Sequence, residues 1–209
     1  MKHFLLILFL TPSLLSAEQD PFGDPDPTRA DEAAAEEKLY HGLQTAHSQY
    51  RRDFAGILKK ADKVEIFIVA FDNVAERNHF KDGEKLIRIA PYGRYTPVIQ
   101  TKILSQQERD ILLPTIGGQI SIPDHEGGAE CHDPVHGIRA FVGERVIFES
   151  TFCWVCGNFG FEYPPVASPD NSIWIDTTPE LAEIFSKLLP IPQTELDRFY
   201  KLHPLKPKD

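Results

Sequence analysis

The 209-residue sequence lacks the motifs from which an enzymatic activity is usually inferred. It contains no G-x-S-x-G nucleophile motif, no glycine-rich phosphate loop, no HExxH zinc motif and no Rossmann fingerprint. Serine, histidine and aspartate occur, but no local arrangement of them indicates a catalytic triad. These absences favour a binding or interaction role over catalysis. The remaining enzyme hypotheses depend on a small group of cysteines and histidines.

Clusters of basic residues are also missing, and the formal net charge is −9. The longest basic runs are the pairs Arg51-Arg52 and Lys59-Lys60. Because a phosphate backbone or an anionic membrane repels an acidic chain, neither nucleic acid nor an anionic membrane surface is an expected partner. The expected partner is an unknown protein or a small-molecule ligand.

The apolar run near the start of the chain is too short to span a bilayer. Phe4–Leu10 follows a basic start and precedes the small residues Ser16 and Ala17, whereas a spanning helix needs about 20 residues. This pattern predicts a signal peptide over residues 1–17, cleaved near Ala17, and a periplasmic or secreted protein without a stable membrane anchor. An uncleaved amino-terminal anchor is the alternative.

Hydrophobic periodicity predicts a single α+β domain over residues 28–203, with a mainly antiparallel sheet, a long amino-terminal helix and carboxy-terminal helices. A disordered acidic and proline-rich linker at 18–27 precedes the domain, and a tail at 204–209 follows it. Thr28 is the predicted cap of the long helix. Its predicted packing face consists of apolar residues spaced three and four apart: Leu39, Leu43, Ala46, Tyr50, Phe54, Ile57 and Ala61.

Five strands are predicted from apolar runs: Val64–Phe71, Leu86–Ala90, Val98–Ile103, Ile138–Val142 and Arg145–Cys153. The last two form a hairpin around Gly143-Glu144, where a glycine in first position favours a type II′ turn. A capping box at Ser105 opens a short helix that Pro114 is expected to end after Leu113. Two carboxy-terminal helices complete the pattern, at Thr178–Leu188 and Thr194–Leu202.

All three cysteines lie near one histidine in the pattern Cys131-x4-His136-x16-Cys153-x2-Cys156. Thiolate and imidazole are ligands that zinc prefers, so these four residues are the predicted metal ligands and zinc is the predicted cofactor. Outside the cytoplasm thiols normally pair, and an odd number leaves one that must be free, shared or bound to something else. Residues 117–136 show no periodicity and are predicted to form a long functional loop.

The hairpin register determines which of these residues can meet. A two-residue loop pairs His136 with Thr151, so that His136 and Cys153 share a face of the sheet as diagonal neighbours. If the same residue-by-residue pairing is extended past the ends of the two strands, Cys131 lies alongside Cys156. One extra residue in the hairpin would turn His136 to the opposite face, whereas the convergence of the cysteines depends less on the register.

Four chemistries remain open for this cluster. The first is a structural zinc site formed by the three cysteines with His136 or His132. The second is a disulfide, either between Cys131 and one member of the Cys153–Cys156 pair or within that pair. The third is a thiol-disulfide or redox-sensing role of Cys153 and Cys156. The fourth is a catalytic metal centre.

The segment Cys131-His-Asp-Pro-Val-His136-Gly, followed by a hairpin and by Cys153-Trp-Val-Cys156, resembles a family of secreted bacterial proteins without an established activity. That family shares a Cys-x-x-Pro-x-His-Gly pattern and a closing Cys-aromatic-x-Cys, and the resemblance covers residues 86–160. It implies that the cysteines form one local unit and that the protein is bacterial and exported. The sequence therefore predicts an exported binding or interaction protein with a zinc site or a disulfide at one hairpin. A periplasmic thiol-disulfide protein is the alternative.

Overall fold

The structure, a computed structural model, describes residues 27–89, 93–122, 131–162 and 172–202, with side chains in the first helix from Ala34 onward. The predicted signal peptide, most of the predicted linker and the predicted tail lie outside the described residues. The chain divides into two compact units, residues 1–42 and 43–209. In the first unit, the described side chains from Ala34 to Gly42 are all exposed.

Within the described residues the helices are α1 (Pro27–Leu58), α2 (Gln106–Ser121), α3 (Pro179–Leu188) and α4 (Gln193–Leu202). The strands are β1 (Lys63–Val69), β2 (Leu86–Ile89), β3 (Arg94–Ile103), β4 (His136–Val142), β5 (Arg145–Cys153), β6 (Asn158–Glu162) and β7 (Ser172–Asp176). A single turn of 3-10 helix lies at Arg77–His79. No helix in the described ranges is both long enough and apolar enough to cross a membrane.

The strands form one seven-stranded sheet in the order β2-β3-β1-β4-β5-β6-β7, and every neighbouring pair is antiparallel. This topology confirms the predicted α+β class and the mainly antiparallel sheet. Strand β1 lies between β3 and β4, and each of its residues from Val64 to Val69 is buried. Its residues from Ile66 to Val69 are all apolar, as expected of a strand covered on both faces, and the buried Glu65 is ion-paired with Lys63 and Lys85.

Helices α2 and α3 and the part of α1 around Phe54 pack on one face of the sheet, here called the inner face. The Phe54 ring stacks on Phe161 with centroids 5.2 Å apart and meets Phe148 edge-on at 5.7 Å. By contrast, Leu43 and Ile57 are 43% and 41% exposed. The apolar stripe predicted for α1 is therefore a packing face in only part of its length.

The predicted capping box at the start of α2 is confirmed. The Ser105 hydroxyl accepts a hydrogen bond from the Glu108 N–H at 3.4 Å, and the Glu108 carboxylate accepts one from the Ser105 N–H at 2.8 Å. The Lys102 ammonium, together with Ser105, lowers the pKa of Glu108 to about 2. The carboxylate is therefore ionised near the positive end of the helix, where a negative charge is stabilising.

The predicted end of α2 at Leu113 is wrong, because the helix continues through Pro114 to Ser121. Pro114 is exposed, and so is Asp110, the residue whose carbonyl loses its helical partner. Leu113 and Ile116, on the other side of the helix, are buried in the core. Their burial offsets the cost of the proline, which is about 3 kcal/mol in a helix interior. The first residues of the predicted 117–136 loop are consequently helical.

The hairpin between β4 and β5 has the predicted turn but a different register. Gly143 has φ of +59°, as the first position of a type II′ turn requires. Beyond the turn, Ile147 forms a bulge that the sequence reasoning did not anticipate. The register on either side of the bulge is Val142–Arg145 and Phe141–Val146, then Ala140–Phe148.

The bulge changes the face to which His136 belongs. His136 pairs with Phe152, and Gly137 pairs with Thr151. The predicted pairing of His136 with Thr151, and its placement on the face of Cys153, are therefore wrong. A bulge adds one residue to one strand, and a shift of one residue moves a side chain to the other face of the sheet.

Strand β2 folds over the opposite face of the sheet, here called the outer face. Ile87 packs there on Phe67 and Gly137, and a Cβ atom at position 137 would lie 2.6 Å from Ile87 Cδ1. Arg139 Nη2 donates a hydrogen bond to the carbonyl of Leu86 at 3.2 Å. The sheet is thus curled, so that its β2 edge lies above β4 and β5.

Candidate functional site

A disulfide bond joins Cys131 and Cys156, whose Cα atoms are 6.2 Å apart. It connects the segment that leads into β4 with the turn between β5 and β6. Of the chemistries considered from the sequence, a disulfide is therefore present. The bond closes a chain segment with a sequence separation of 25, which it constrains in the unfolded state as well as in the folded one.

The third cysteine, Cys153, is a fully buried free thiol at the end of β5. Its sulfur accepts a hydrogen bond from the backbone N–H of Cys156 at 3.3 Å. Cys153 pairs with Asn158 of β6, so both side chains belong to the outer face. The three cysteines therefore form one disulfide and leave one buried free thiol.

His136 is buried on the inner face between Phe185 and Trp154, with ring centroids 5.3 Å and 5.8 Å away. The indole N–H of Trp154 donates to His136 Nδ1 at 2.7 Å. Because an indole N–H can only donate, Nδ1 is the acceptor and Nε2 carries the proton, which it donates to the Leu189 carbonyl at 2.8 Å. Burial lowers the pKa of His136 to about 4, against the opposing effect of the Leu189 carbonyl. His136 is a neutral link between β4 and the end of α3.

His132 occupies the outer face and connects three segments. Its Nδ1 lies 2.7 Å from Asn158 Oδ1 and its Nε2 lies 2.8 Å from the Thr151 hydroxyl. The amide nitrogen of Asn158 donates to the Cys131 carbonyl at 3.1 Å, so its oxygen accepts from His132 Nδ1–H. Burial lowers the pKa of His132, while Asn158 and Asp133 raise it. The network attaches the disulfide-bonded segment to β5 and β6.

The order hydroxyl, imidazole, amide in this network is also the order of a nucleophile, a base and an orienting group. Thr151, however, is only 1% exposed and Asn158 only 2%. No substrate can reach a hydroxyl that is buried to this extent. The network is therefore structural.

The four predicted zinc ligands do not form one group. Cys131 and Cys156 are bonded to each other, Cys153 belongs to the outer face, and His136 lies on the inner face with both ring nitrogens hydrogen-bonded. Among the residues that the structure describes, no group of three or more His, Cys, Asp or Glu side chains could hold a metal ion. Zinc binding by the reduced protein stays a prediction.

A cleft of about 520 Å³ opens between β5 and β6, here called the β5–β6 cleft. The ladder between these strands consists of the pairs Phe152–Phe159 and Cys153–Asn158. The ladder ends there, and the cleft lies between the Val146–Glu149 stretch of β5 and the Phe161–Glu162 end of β6. The volume lies in the range of about 300–1,000 Å³ that is typical of small-molecule sites.

Aromatic side chains line the β5–β6 cleft on its inner-face side. Tyr50 stacks on Phe54 and on Phe161, with ring centroids 5.8 Å and 6.2 Å apart. Phe148, from β5, meets Phe161 edge-on at 6.5 Å. The Tyr50 hydroxyl also donates to the backbone carbonyl of Glu162 at 3.2 Å, which holds the helix against the end of β6.

Two ion pairs line the cleft on its outer-face side. Arg139 Nε donates to the Glu149 carboxylate at 2.6 Å, and their side chains are 20% and 26% exposed. Arg88 reaches from β2 to Glu162 on β6, and these side chains are 41% and 49% exposed. The two positive and two negative charges cancel, so the cleft suits a neutral ligand with both apolar and hydrogen-bonding groups.

A second cavity, of about 120 Å³, lies under α4 and is lined mainly by apolar side chains. Phe199 of α4 packs edge-on against Phe71 at 5.0 Å, and Arg198 is ion-paired with Asp72. This cavity is smaller than the range given for small-molecule sites. We interpret it as a packing gap between α4 and the sheet.

The cleft residues escape sequence reasoning because α1, β2, β4, β5 and β6 each contribute only one or a few of them. No spacing within one element indicates the cleft. The bulge at Ile147 lies among the residues that line the cleft, and an apolar residue in an apolar strand carries no signal for a bulge. Comparisons with protein-family models, with curated proteins and with solved structures found no match.

Proposed function

We propose that this chain is an exported bacterial binding protein that holds its ligand in the β5–β6 cleft. The observation that carries the proposal is a cleft of about 520 Å³ between β5 and β6. One side of the cleft is aromatic, and the charged side chains on the other side are paired in two ion pairs. Sites of this kind combine apolar contact area with a few oriented polar groups. The predicted signal peptide supports export, and the disulfide is compatible with an oxidising compartment.

In this proposal the Cys131–Cys156 disulfide is a structural clamp. It fixes the segment from Cys131 to Asp133 on the outer face, together with the hydrogen bonds of His132. It thereby stabilises the end where β5 and β6 pair, next to the cleft. A preformed site avoids the entropic cost of ordering on binding.

The test is a fragment screen of the mature, ¹⁵N-labelled protein, read by amide chemical shifts. We expect hits to shift resonances of residues 146–149 and 160–162. Val146→Trp fills the mouth of the cleft, and Val142→Trp is the matched control on the same hairpin, since the two valines are 44% and 36% exposed. Hits should bind the first variant at least about tenfold more weakly and the second unchanged. Shifts that gather elsewhere, such as under α4, would overturn the proposal.

A second candidate, thiol-disulfide exchange, is favoured by the position of Cys153. Its sulfur already contacts the backbone of Cys156, and Cys131 is exposed. In this reaction the Cys153 thiolate attacks the Cys156 sulfur, the bond to Cys131 breaks, and Cys131 leaves as a thiolate that takes up the proton lost by Cys153. The exchange conserves electrons and moves the free thiol from a buried to an exposed position.

Peptide mapping distinguishes this candidate. The native protein is incubated with a trace of glutathione, alkylated at neutral pH and digested. Exchange yields a Cys153–Cys156 disulfide with alkylated Cys131. A single Cys131–Cys156 linkage, with Cys153 alkylated only after denaturation, excludes it.

A further inference from the structure

We infer that the open edge of β3 is a docking site for a short extended polypeptide segment in which an acidic and an apolar side chain lie two residues apart. The segment adds antiparallel to β3 beside residues 101–103, on a surface separate from the β5–β6 cleft. Three observations support this docking site. Backbone groups of β3 lack a ladder partner in the described part of the chain, two lysines share one carboxylate next to them, and an isoleucine at the edge is exposed.

The last residues of β3 pair with a neighbouring strand on one side only. β2 pairs with the beginning of β3, whereas β1 pairs with β3 as far as Ile103. Leu104 N–H donates to the Val64 carbonyl at 2.9 Å, so Leu104 and Lys102 direct their backbone groups to β1. The backbone groups of Thr101 and Ile103 point the other way. They offer two N–H donors and two carbonyl acceptors to an added strand.

The chain opposite Thr101 and Ile103 is described, and it does not pair with them. Continuing the β2–β3 register would place Asp82 opposite Thr101 and Phe80 opposite Ile103. The ladder stops before them, because the chain turns at Gly83, whose φ is +83°. No backbone hydrogen bond joins either pair among the described residues. The edge at 101–103 is therefore open within the part of the chain that the structure describes.

The side chains of Thr101 and Ile103 belong to the outer face. Their ladder partners on β1 are Phe67 and Glu65, and residues directly opposite each other share a face. Phe67 packs there against Ile87 of β2. Ile103 is 62% exposed, so an apolar side chain opposite it in an added strand would bury apolar surface on both strands.

Lys85 gives this edge an excess of positive charge. Its Nζ donates to the Thr101 hydroxyl at 3.2 Å and to the Glu65 carboxylate at 3.1 Å. The same carboxylate is paired with Lys63, whose Nζ lies 2.7 Å away, so two positive charges share one negative charge. The side chains of Lys85 and Lys63 are 45% and 44% exposed. An acidic side chain opposite Thr101 in an added strand therefore meets a favourable charge.

A second copy of the chain suits this edge less well than an acidic segment does. β3 contains no acidic residue, so it cannot supply the carboxylate that the lysines favour. Pairing two such edges about a two-fold axis also brings Lys85 of each copy to the same face, and like charges across a strand pair are destabilising. The partner is therefore a different polypeptide segment.

The probe is the capped pentapeptide acetyl-Val-Thr-Glu-Thr-Val-amide, added to the ¹⁵N-labelled mature protein. In antiparallel pairing its glutamate lies opposite Thr101 and its first valine opposite Ile103. Its threonines lie on the side of Lys102, whose charge is already paired with Glu108 at 2.7 Å. The matched control is the same peptide with lysine in place of glutamate. A second control carries N-methyl groups on the first valine and the glutamate, which removes the N–H donors that face β3.

We expect the glutamate peptide to shift the amide resonances of residues 101–103 and to slow hydrogen exchange at Thr101 and Ile103. The lysine peptide should bind at least about fivefold more weakly, because repulsion by Lys85 replaces attraction. The N-methylated peptide should not bind, because its donors are lost. Lys85→Gln should reduce the preference for glutamate to less than about twofold. Lys81→Gln, a change at an exposed lysine nearby in the sequence, should leave the preference unchanged.

Equal affinity of the glutamate and lysine peptides for the wild-type protein would overturn the proposal, and so would an N-methylated peptide that binds as well as its parent. The absence of any shift at residues 101–103 with millimolar peptide would also overturn it. Shifts at 146–149 instead would place the peptide in the β5–β6 cleft, which supports the proposed function but not this docking site. Resonances of 101–103 that shift when the free protein is diluted would show that a second copy occupies the edge, against the proposal. These comparisons use the wild-type protein, so they hold even if Lys85→Gln does not fold.

Discussion

Trp154 donates its indole N–H to Nδ1 of His136 at 2.7 Å and thereby sets the tautomer of a fully buried histidine. The other ring nitrogen donates to Leu189 at the end of α3. The sequence places this histidine among candidate metal ligands, but its contacts are those of a structural link between the hairpin and a helix. A protonated ring would have to break the bond from Trp154, because Nδ1 would then be a donor facing another donor.

Stability is expected to depend on pH through His136. Its native pKa is about 4, below the ordinary value of 6.5, so the unfolded state binds the proton first as the pH falls. The contribution of His136 is complete above pH 6.5, decreases between pH 6.5 and 4, and is constant below pH 4. The loss should amount to about 3 kcal/mol of the free energy of unfolding. His132, whose pKa is also lowered, adds a change of the same sign.

Denaturant unfolding between pH 4 and 7 measures this dependence. His136→Gln should flatten the slope of the free energy of unfolding against pH, whatever its effect on stability at pH 7. His79→Gln, a change at an exposed histidine, is the matched control and should leave the slope as in the wild type. Parallel slopes for wild type and His136→Gln would contradict the assignment.

The disulfide is expected to stabilise the fold by about 3 kcal/mol, as its sequence separation of 25 indicates. The double change Cys131→Ser and Cys156→Ser should lower the denaturation midpoint accordingly. Intact mass should be two hydrogens below that of the reduced chain, and Cys153 should react with iodoacetamide only after unfolding. Purified protein that carries one zinc ion and three thiols would contradict the disulfide and support the zinc hypothesis.

Local patterns predicted most of the fold. The capping box at Ser105, the turn at Gly143 and the capped helix beginning at Pro179 follow from residues that interact over three or four positions. Such signals are complete within one segment of the sequence. Strand β7, which has no counterpart among the predicted elements, is short and owes its place to pairing with β6.

Two features were predicted wrongly from the sequence, the end of α2 and the face of His136, and both depend on the tertiary structure. Pro114 is accommodated because its side of α2 faces water, and burial of Ile116 outweighs its cost. The bulge at Ile147 adjusts the hairpin to the curled sheet and reverses the face of His136. The cysteines still converge, since Cys131 and Cys156 lie beyond the hairpin ladder. That the cysteines come close together could be predicted from the sequence. Whether His136 joins them could not, because its face depends on the β4–β5 register, which is fixed only in the assembled sheet.

Arg51 is expected to be important for the stability of α2. This guanidinium is 1% exposed, and it donates to the carbonyls of Ile120, at 2.7 Å, and of Ile122 at the end of the helix. A cation there satisfies carbonyls that have no helical partner and interacts favourably with the helix dipole. Arg51→Ala should lower the free energy of unfolding by about 3 kcal/mol.

Arg52→Ala is the matched control for Arg51→Ala, because the neighbouring arginine is exposed and bonds only locally to Gln49. It should change the free energy of unfolding by less than about 0.5 kcal/mol. Urea denaturation of both variants checks the difference. Similar losses in the two variants would show that the buried contacts of Arg51 contribute little.

Two glycine-to-alanine changes are expected to have opposite signs. At Gly137 the new methyl group would lie 2.6 Å from Ile87 Cδ1 and 3.4 Å from Phe67 Cδ2, so Ile87 must move and the packing of β2 on the outer face is disturbed. Gly137→Ala should cost about 1–3 kcal/mol. At Gly118, an exposed helical position, no heavy atom lies within 4 Å of the new methyl group, and Gly118→Ala should add about 0.5–1 kcal/mol. Thermal unfolding of the two variants checks both signs, and a neutral Gly137→Ala would mean that β2 adapts freely above β4.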